Sequence, residues 1–370
     1  TSYEDTYDAR SHGITVSVEG LREGASPTYH YTYLDPESNQ WSEETAEAPV
    51  WTDVTKQPVK VSCRIECEGY EDVKLEGTIT IKPVLLTVGI NAVNTVYSGT
   101  DVQSSDLGAQ VGLYIGELSE KQIAEKYSDQ TKSGSTFTLI KRDDGTYESA
   151  EVYATGSGKD AGVYDMDYNV EYANDTNGAN YKVDWKHIGK LSIAQKPLIV
   201  TTKSAEKVYD GSPLEGTGSV TGFIDGEGAN ITFKSNREDV GETLNEDYVI
   251  AYNEGTNSDN YYIAEKEIGT LEVTPRPVLI TANSYQKAYL EPDPKLEVTF
   301  SGIKKDDGTY EEKSGLVDGK GSVSYTSLQR EAGENVGNYA IVVSGEKNQG
   351  NYEVTFIPGN LRIVASNANT

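Results

Sequence analysis

Three histidines, two cysteines and a surplus of carboxylates are the groups in this chain that could do chemistry, and their spacing argues against it. His12, His30 and His187 are far apart, with no His-x-His or His-Glu-x-x-His pair to seat a metal. No Gly-x-Ser-x-Gly is present to raise a nucleophile on a sharp turn. Cys63 and Cys67, in VKVSCRIECEG, have no nearby His that could hold a thiolate. Val59, Val61, Cys63, Ile65 and Cys67 alternate with polar residues, so both thiols are expected to point into a core. Four residues of strand span about 13 Å, whereas a disulfide needs Cα atoms within about 7 Å. The two cysteines are therefore expected to be unlinked and protected.

Two loops imitate ligand motifs and fail on composition. TGSGKD at 155–160 has Tyr153 where a phosphate loop needs its first Gly, and Asp160 where it needs Ser or Thr. DMDYN at 165–169 starts like an EF-hand, but Val170 occupies the obligatory Gly position and Thr176 the position of the closing Glu. A looser Ca²⁺ site at an acidic junction stays open on sequence alone. Carboxylates are so abundant that no glycosidase pair can be singled out. The expectation is no catalytic residue, no cofactor and no metal: the chain is not an enzyme.

Composition supports that reading. With 59 acidic against 32 basic residues the net charge is −27, which disfavours nucleic acid or anionic lipid as partner. The 26 Tyr against 5 Phe suit half-exposed strands, where the ring packs and the hydroxyl stays wet. No stretch approaches the roughly 20 apolar residues of a membrane helix, and a chain opening at Thr1 and closing in SNANT is expected to be a piece of a longer protein.

What remains is repetition. KPLIVTTKSAEKVYDG from Lys196 is restated, worn, as KPVLLTVGINAVNTVYSG from Lys82 and RPVLITANSYQKAYLEP from Arg276. Three landmarks recur: a Tyr corner at Tyr7, Tyr97 (with Gly99), Tyr209 (with Asp210 and Gly211) and Tyr289; a short turn ending at Thr55, Gly162, Gly241 and Gly337; and a closing strand from Gly77, Gly189, Gly269 and Gly359. Corner to turn measures 48, 65, 32 and 48 residues, and turn to closing strand 22, 27, 28 and 22. The second half is nearly constant, so the length variation lies in the first. Asn-Tyr at 180–181, 260–261 and 351–352 is expected as a turn into the penultimate strand, and Asp-Gly at 144–145 and 307–308 as hairpin turns. Strands such as YDMDYNVEY alternate one buried with one acidic face. Fold class is thus all-β: an elongated tandem array of four small modules, 1–82, 83–195, 196–275 and 276–366, joined with little slack through prolines that stiffen the chain.

The rhythm breaks once. In ELSEKQIAEKYSDQ, Ser119 and Gln122 form a capping-box pattern, predicting a short helix inside an insertion at about 100–150 of the second module. If the segment binds a ligand, this insertion is the expected place, with Tyr114, Tyr127 and Tyr147 as aromatic anchors and Lys121 and Lys126 at the rim. If it does not, Ile123 and Tyr127 should point inward.

KPLIVTTKSAEKVYDGSPLEGTG closing in NYYIAEKEIGTLEVTP resembles the YDG/MBG family of tandem modules in bacterial surface adhesins. AYLEPDPKLEVTFSG, REAGENVGNYAI and GNYEVTFIPGNLRIV resemble its YGX variety, and YDARSHGITVSVEG with EGYEDVKLEGTITI resembles the accompanying Ig-like surface repeats. The resemblance implies Ig-like, β-sandwich or β-grasp-like modules of an extracellular, cell-surface protein from a host-associated bacterium. It implies a monomeric adhesin segment presenting or binding a host ligand such as a mucin-type glycoprotein, glycan or immunoglobulin, with a passive spacer as the alternative. Ser98 replaces the Asp of the corner motif and Tyr289-Leu290-Glu291 its usual Tyr-Gly-Glu.

Overall fold

The computed structural model describes residues 1–128, 130–302, 316–317 and 323–366. The Asp-Gly pair at 307–308 lies outside them. The chain divides into two compact units, Thr1–Lys196 and Pro197–Thr370. It is all-β apart from one α-helix and two single 3₁₀ turns among the described residues, and every strand pairing described stays within 1–82, 83–195, 196–275 or 276–366.

One construction recurs in these four stretches. The strand leading into the Tyr corner runs parallel to the closing strand: Tyr3–Thr6 on Val73–Lys82, Val93–Val96 on Lys190–Ala194, Ala205–Val208 on Thr270–Thr274, and Tyr285–Ala288 on Gly359–Val364. The corner tyrosine then donates its backbone N–H to the end of that closing strand. The acceptors are the carbonyls of Lys82, Ala194, Thr274 and Val364, for Tyr7, Tyr97, Tyr209 and Tyr289, at 2.8, 2.9, 2.9 and 2.8 Å. The turn glycines start the antiparallel partner on the other side, with Gly162 opposite Ile193, Gly241 opposite Val273 and Gly337 opposite Ile363. The repeats seen in sequence are therefore repeats of hydrogen bonding.

The corner needs a left-handed residue two places after its tyrosine. Gly99 and Gly211 supply φ of 80° and 77°, and Ala9 is held there at 61°. In the last module the left-handed residue is Leu290, one place earlier, at 67°. The glycines at the heads of the closing strands have a different reason. A Cβ on Gly189, Gly269 or Gly359 would strike the backbone of Ala92, Lys203 or Ala282, where the first strand crosses from one sheet to the other.

The first module uses Val59–Glu66 as its central strand, between Thr28–Tyr33 and Val73–Lys82. Val59, Val61, Cys63 and Ile65 are buried from that strand, as alternation predicts. Cys67 differs from expectation. The strand ends at Glu66, the carbonyl of Cys67 accepts from Tyr70 in the following turn, and the residue is only half-buried. Gly69 at φ 80° breaks the alternation there. Both thiols are free.

In the second module the helix forms at Glu120–Ala124, with Ser119 as N-cap and both bonds of the capping box made with Gln122. It is a single turn and a half, shorter than the segment that suggested it, because the chain folds back to seat Ile123 and Tyr127 on the strand Val84–Ile90. A Cβ at Gly89 would collide with both side chains. The Asp144-Gly145 hairpin forms with Gly145 at φ 86° and the carboxylate of Asp144 accepting from the Thr146 N–H at 2.9 Å.

Candidate functional site

Within each compact unit, two successive modules meet at a joint built from the same four parts. In the first unit the Asn180 side chain lies against the turn of the preceding module: its Nδ2 donates to Asp53 Oδ1 at 2.7 Å and its Oδ1 accepts from the Val54 N–H at 2.9 Å. In the second unit Asn351 does the same to Asp239 at 2.8 Å and to the Val240 N–H at 2.9 Å. A turn offering one carboxylate and one backbone donor matches the planar amide of Asn on both edges. The adjacent tyrosines complete it. Tyr7 and Tyr181 meet edge-to-face at 5.9 Å and 77°, Tyr209 and Tyr352 at 5.7 Å and 85°. In the second joint Val273 and Val278 share one buried cluster with Tyr209 and Tyr352, and in the first Ile81 and Val84 are buried. A single proline, Pro83 or Pro275, separates the closing strand of one module from the opening strand of the next.

In the first joint a buried carboxylate meets both tyrosines. Glu148, 3% exposed, accepts from the hydroxyl of Tyr7 at 2.7 Å, from the hydroxyl of Tyr181, and from Arg142 at 3.3 Å. Arg142 also holds Asp175 at 2.8 Å. Burial, and then the neighbouring Glu148 carboxylate, push both tyrosine hydroxyls well above their ordinary range, so they stay protonated donors. Glu148 and Arg142 flank the Asp144-Gly145 hairpin, so the insertion at about 100–150 reaches the joint and braces it. Arg10 of the first module is also paired with Asp143, at 2.9 Å.

The residues expected to anchor a ligand fall in two places. Tyr114, Tyr127 and Lys126 come together: Lys126 sits 5.4 Å above the Tyr114 ring, and burial, then the charge of Tyr114, raise the Tyr127 pKa. Ile123 is buried and Tyr127 half-buried, so this part of the helix faces inward, while Lys121 is exposed. Tyr147, half-exposed with Lys141 at 5.8 Å over its ring, stands apart on the strand that carries Glu148.

The corner of the third module is fastened by charge. Lys207 donates to Asp210 at 2.7 Å, and Asp210 accepts from the backbone and hydroxyl of Ser212 at 2.9 and 2.7 Å. These bonds hold the Asp210 carboxyl far below the usual aspartate range. Lys287 stands at the matching place in the last module. Its buried ammonium bridges Asp293 and Glu334 at 2.6 and 2.7 Å, and Arg330 binds the same two carboxylates. Among the described residues no group of three His, Cys, Asp or Glu side chains could hold a metal ion, and no helix is long and apolar enough to cross a membrane.

Residues 278–362 match the family described as the MBG domain of YGX type, the segment whose sequence resembled it. No curated protein matches the chain. Among solved structures, it is similar to the N-terminal eight Ig domains of Down Syndrome Cell Adhesion Molecule (TM-score 0.21, 9% identity, covering 98% of this chain and 53% of that one). It is similar also to Sidekick-1 immunoglobulin domains 1–4 (0.21, 12%, 98% and 97%) and to three N-terminal domains of the bacteriophage RB49 outer capsid protein Hoc (0.25, 12%, 97% and 96%). The chain thus spans about half the length of the eight-domain fragment. None of these superpositions assigns a ligand or a role.

Proposed function

We infer that this chain is a non-enzymatic segment of a bacterial cell-surface adhesin, a serial β scaffold that presents or binds a host ligand of the mucin-type glycoprotein or immunoglobulin class. The observation that supports this reading is the repeated joint. A catalytic domain has no use for two copies of an amide–turn and tyrosine–tyrosine lock, whereas a chain that must hold its modules in fixed sequence does. The family match at 278–362 agrees with an extracellular module of adhesion type. The net charge of −27 fits a soluble monomer that neither coats nucleic acid nor inserts into lipid.

The lock also favours the second reading, a passive spacer, because fixing module orientation is what a spacer requires. Immobilised chain is to be exposed to host mucus and serum proteins. Retention of a defined glycoprotein or immunoglobulin supports the binding role; retention of nothing leaves the spacer. Replacing residues 100–150 wholesale would be a poor test of the insertion, since it removes Arg142 and Glu148 from the joint. Point variants of Tyr147, Lys121 and Lys126 leave that brace intact. Loss of retention in those variants places the ligand on the insertion.

A further inference from the structure

Trp41 is the one tryptophan of three that stands exposed, at 50%. It is not on a loose loop. Asp35 caps the hairpin that carries it, accepting from the N–H groups of Glu37 and Ser38 at 3.0 and 2.7 Å, and Asn39 turns the chain at φ 55°. The backbone closes back through Asp35 N–H to Gln40 O at 2.9 Å and the Leu34–Trp41 bridge. Trp51, by contrast, packs edge-to-face on Tyr33 at 4.9 Å. The backbone beneath this exposed ring is ordered before it meets anything, which lowers the entropic cost of binding.

Below the indole lies a grid of polar side chains. Cross-strand register sets His30 beside Arg64 and Lys74, Thr32 beside Ser62 and Glu76, and Lys60 beside Thr78, all on the outer face of the first module's sheet. Trp41 crosses the middle rank, with hollows of about 300 and 370 Å³ to either side. In the smaller hollow Arg64 is clamped by Glu44, with Nε and Nη2 both donating to Oε1, at 3.3 and 3.0 Å. Arg64 is paired on its other edge with Glu66 and Asp72, so carboxylates hold the guanidinium in one orientation. The site presents the fixed Glu44 acceptor, with that guanidinium beside it, next to a flat apolar face.

We propose that this face of the first module binds a saccharide, with one sugar ring stacked on Trp41 and adjacent hydroxyls spanning Glu44 and Arg64. A pyranose has an apolar C–H face and a rim of paired hydroxyls, which is the complement of this hollow. The inference rests on the adhesin reading and names the ligand class and the site. Its partner chemistry is a glycan, not a peptide: the hollow is open and lined by the hydrogen-bonding side chains of His30, Thr32, Glu44, Ser62, Arg64 and Lys74 around the indole.

The test uses the intact chain on a glycan array that includes neutral and acidic mucin-type oligosaccharides, followed by titration of tryptophan emission with the best binder. Wild type should bind, with quenching or a blue shift that is absent from Trp41→Phe. Trp41→Ala should lower affinity at least tenfold, and Glu44→Gln should weaken binding with Trp41 in place. Circular dichroism and the thermal transition are read on each variant. Should Trp41→Ala misfold, Glu44→Gln decides alone. Binding of a glycan unaffected by Trp41→Phe, Trp41→Ala and Glu44→Gln overturns the site while leaving the adhesin reading standing. Absence of any glycan binding overturns the proposal, and retention of a host protein from secretions then tells whether the adhesin reading survives it.

Discussion

The two joints share a lock and differ in what surrounds it. In the joint of Asn351, an amide, an edge-to-face tyrosine pair and two buried valines meet, and the Tyr352 hydroxyl accepts from the Val317 N–H at 3.1 Å. In the joint of Asn180 the same parts are present, and a buried carboxylate from the insertion ties both tyrosine hydroxyls together. The shared parts are apolar contacts and one amide gripping a turn's carboxylate and N–H. The addition is a charged group almost without water, which is strong when every partner is present and costly when one is missing. Modules one and two are thus fastened by a device that stands or falls as a whole.

The largest effect should come from Glu148→Leu, which strands two buried hydroxyls and takes from Arg142 one of its two carboxylate partners. A loss of about 3 kcal/mol or more is expected in the stability of the first unit, read as faster hydrogen exchange at residues 50–55 and 178–184 with the second unit unchanged. Equal exchange in wild type and variant would show that the brace is inert. Next, Asn180→Ala and Asn351→Ala should each cost about 1–3 kcal/mol, seen as local opening of the Asp53–Val54 and Asp239–Val240 turns. The two substitutions should match if the lock is the common element, and Asn180→Ala should be the milder if the brace compensates.

Acid should separate the corners. The carboxyl of Asp210 is depressed in the folded state by Lys207 and Ser212, so its contribution is full above the ordinary aspartate value of 3.8 and is lost as pH falls below it. Because half of the Asp210 side chain is exposed, screening keeps the effect small. Asp293 and Glu334, depressed through Arg330 and Lys287, follow the same sign. The second unit should therefore lose stability progressively from about pH 4 downward, and Asp210→Asn should flatten part of that slope. An acid titration that leaves the slope unchanged in this variant would remove the corner from the account.

Smaller still, Ala9→Gly should stabilise the first module by about 1 kcal/mol or less, because the corner holds Ala9 at φ 61°; the matching change at Gly211 to Ala should destabilise the third. Alkylation in native buffer should label Cys67 and spare Cys63, whose thiol pKa burial pushes up. Two equally reactive thiols would contradict the strand ending at Glu66.

Much of the fold was legible because its signals are local. Spacing of tyrosine corners, turns and closing glycines marked the repeats, alternation marked the buried faces, and Ser119 with Gln122 marked the one helix. The joints were not legible. Asn180-Tyr181 and Asn351-Tyr352 read as turns into a strand, which they are, but the turn each one grips lies more than a hundred residues earlier in the chain. One clue was available: in YESAEVYAT, Glu148 falls in register with Ala150, Val152 and Ala154, all buried. A carboxylate on an apolar face needs a partner inside, and that would have pointed from the insertion to the joint. Cys67 misled for the opposite reason, since the alternation continued past the residue where the strand stops.

The parallel pairing of early and closing strands has a mechanical meaning. In the second module Val84–Ile90 and Val93–Val96 run beside Tyr181–Ile188 and Lys190–Ala194 in the same direction, and in the last module Arg276–Ala282 and Tyr285–Ala288 run likewise beside Tyr352–Ile357 and Gly359–Val364. Tension applied where the chain enters and leaves such a module drags these strands past each other lengthwise. Their ladder bonds are then loaded in shear and must fail together, whereas antiparallel neighbours pulled from one end open a rung at a time. Under flow or traction each of these modules is held by a clamp at its own two ends, and its lifetime under load is set by the barrier to breaking that clamp rather than by its resting stability.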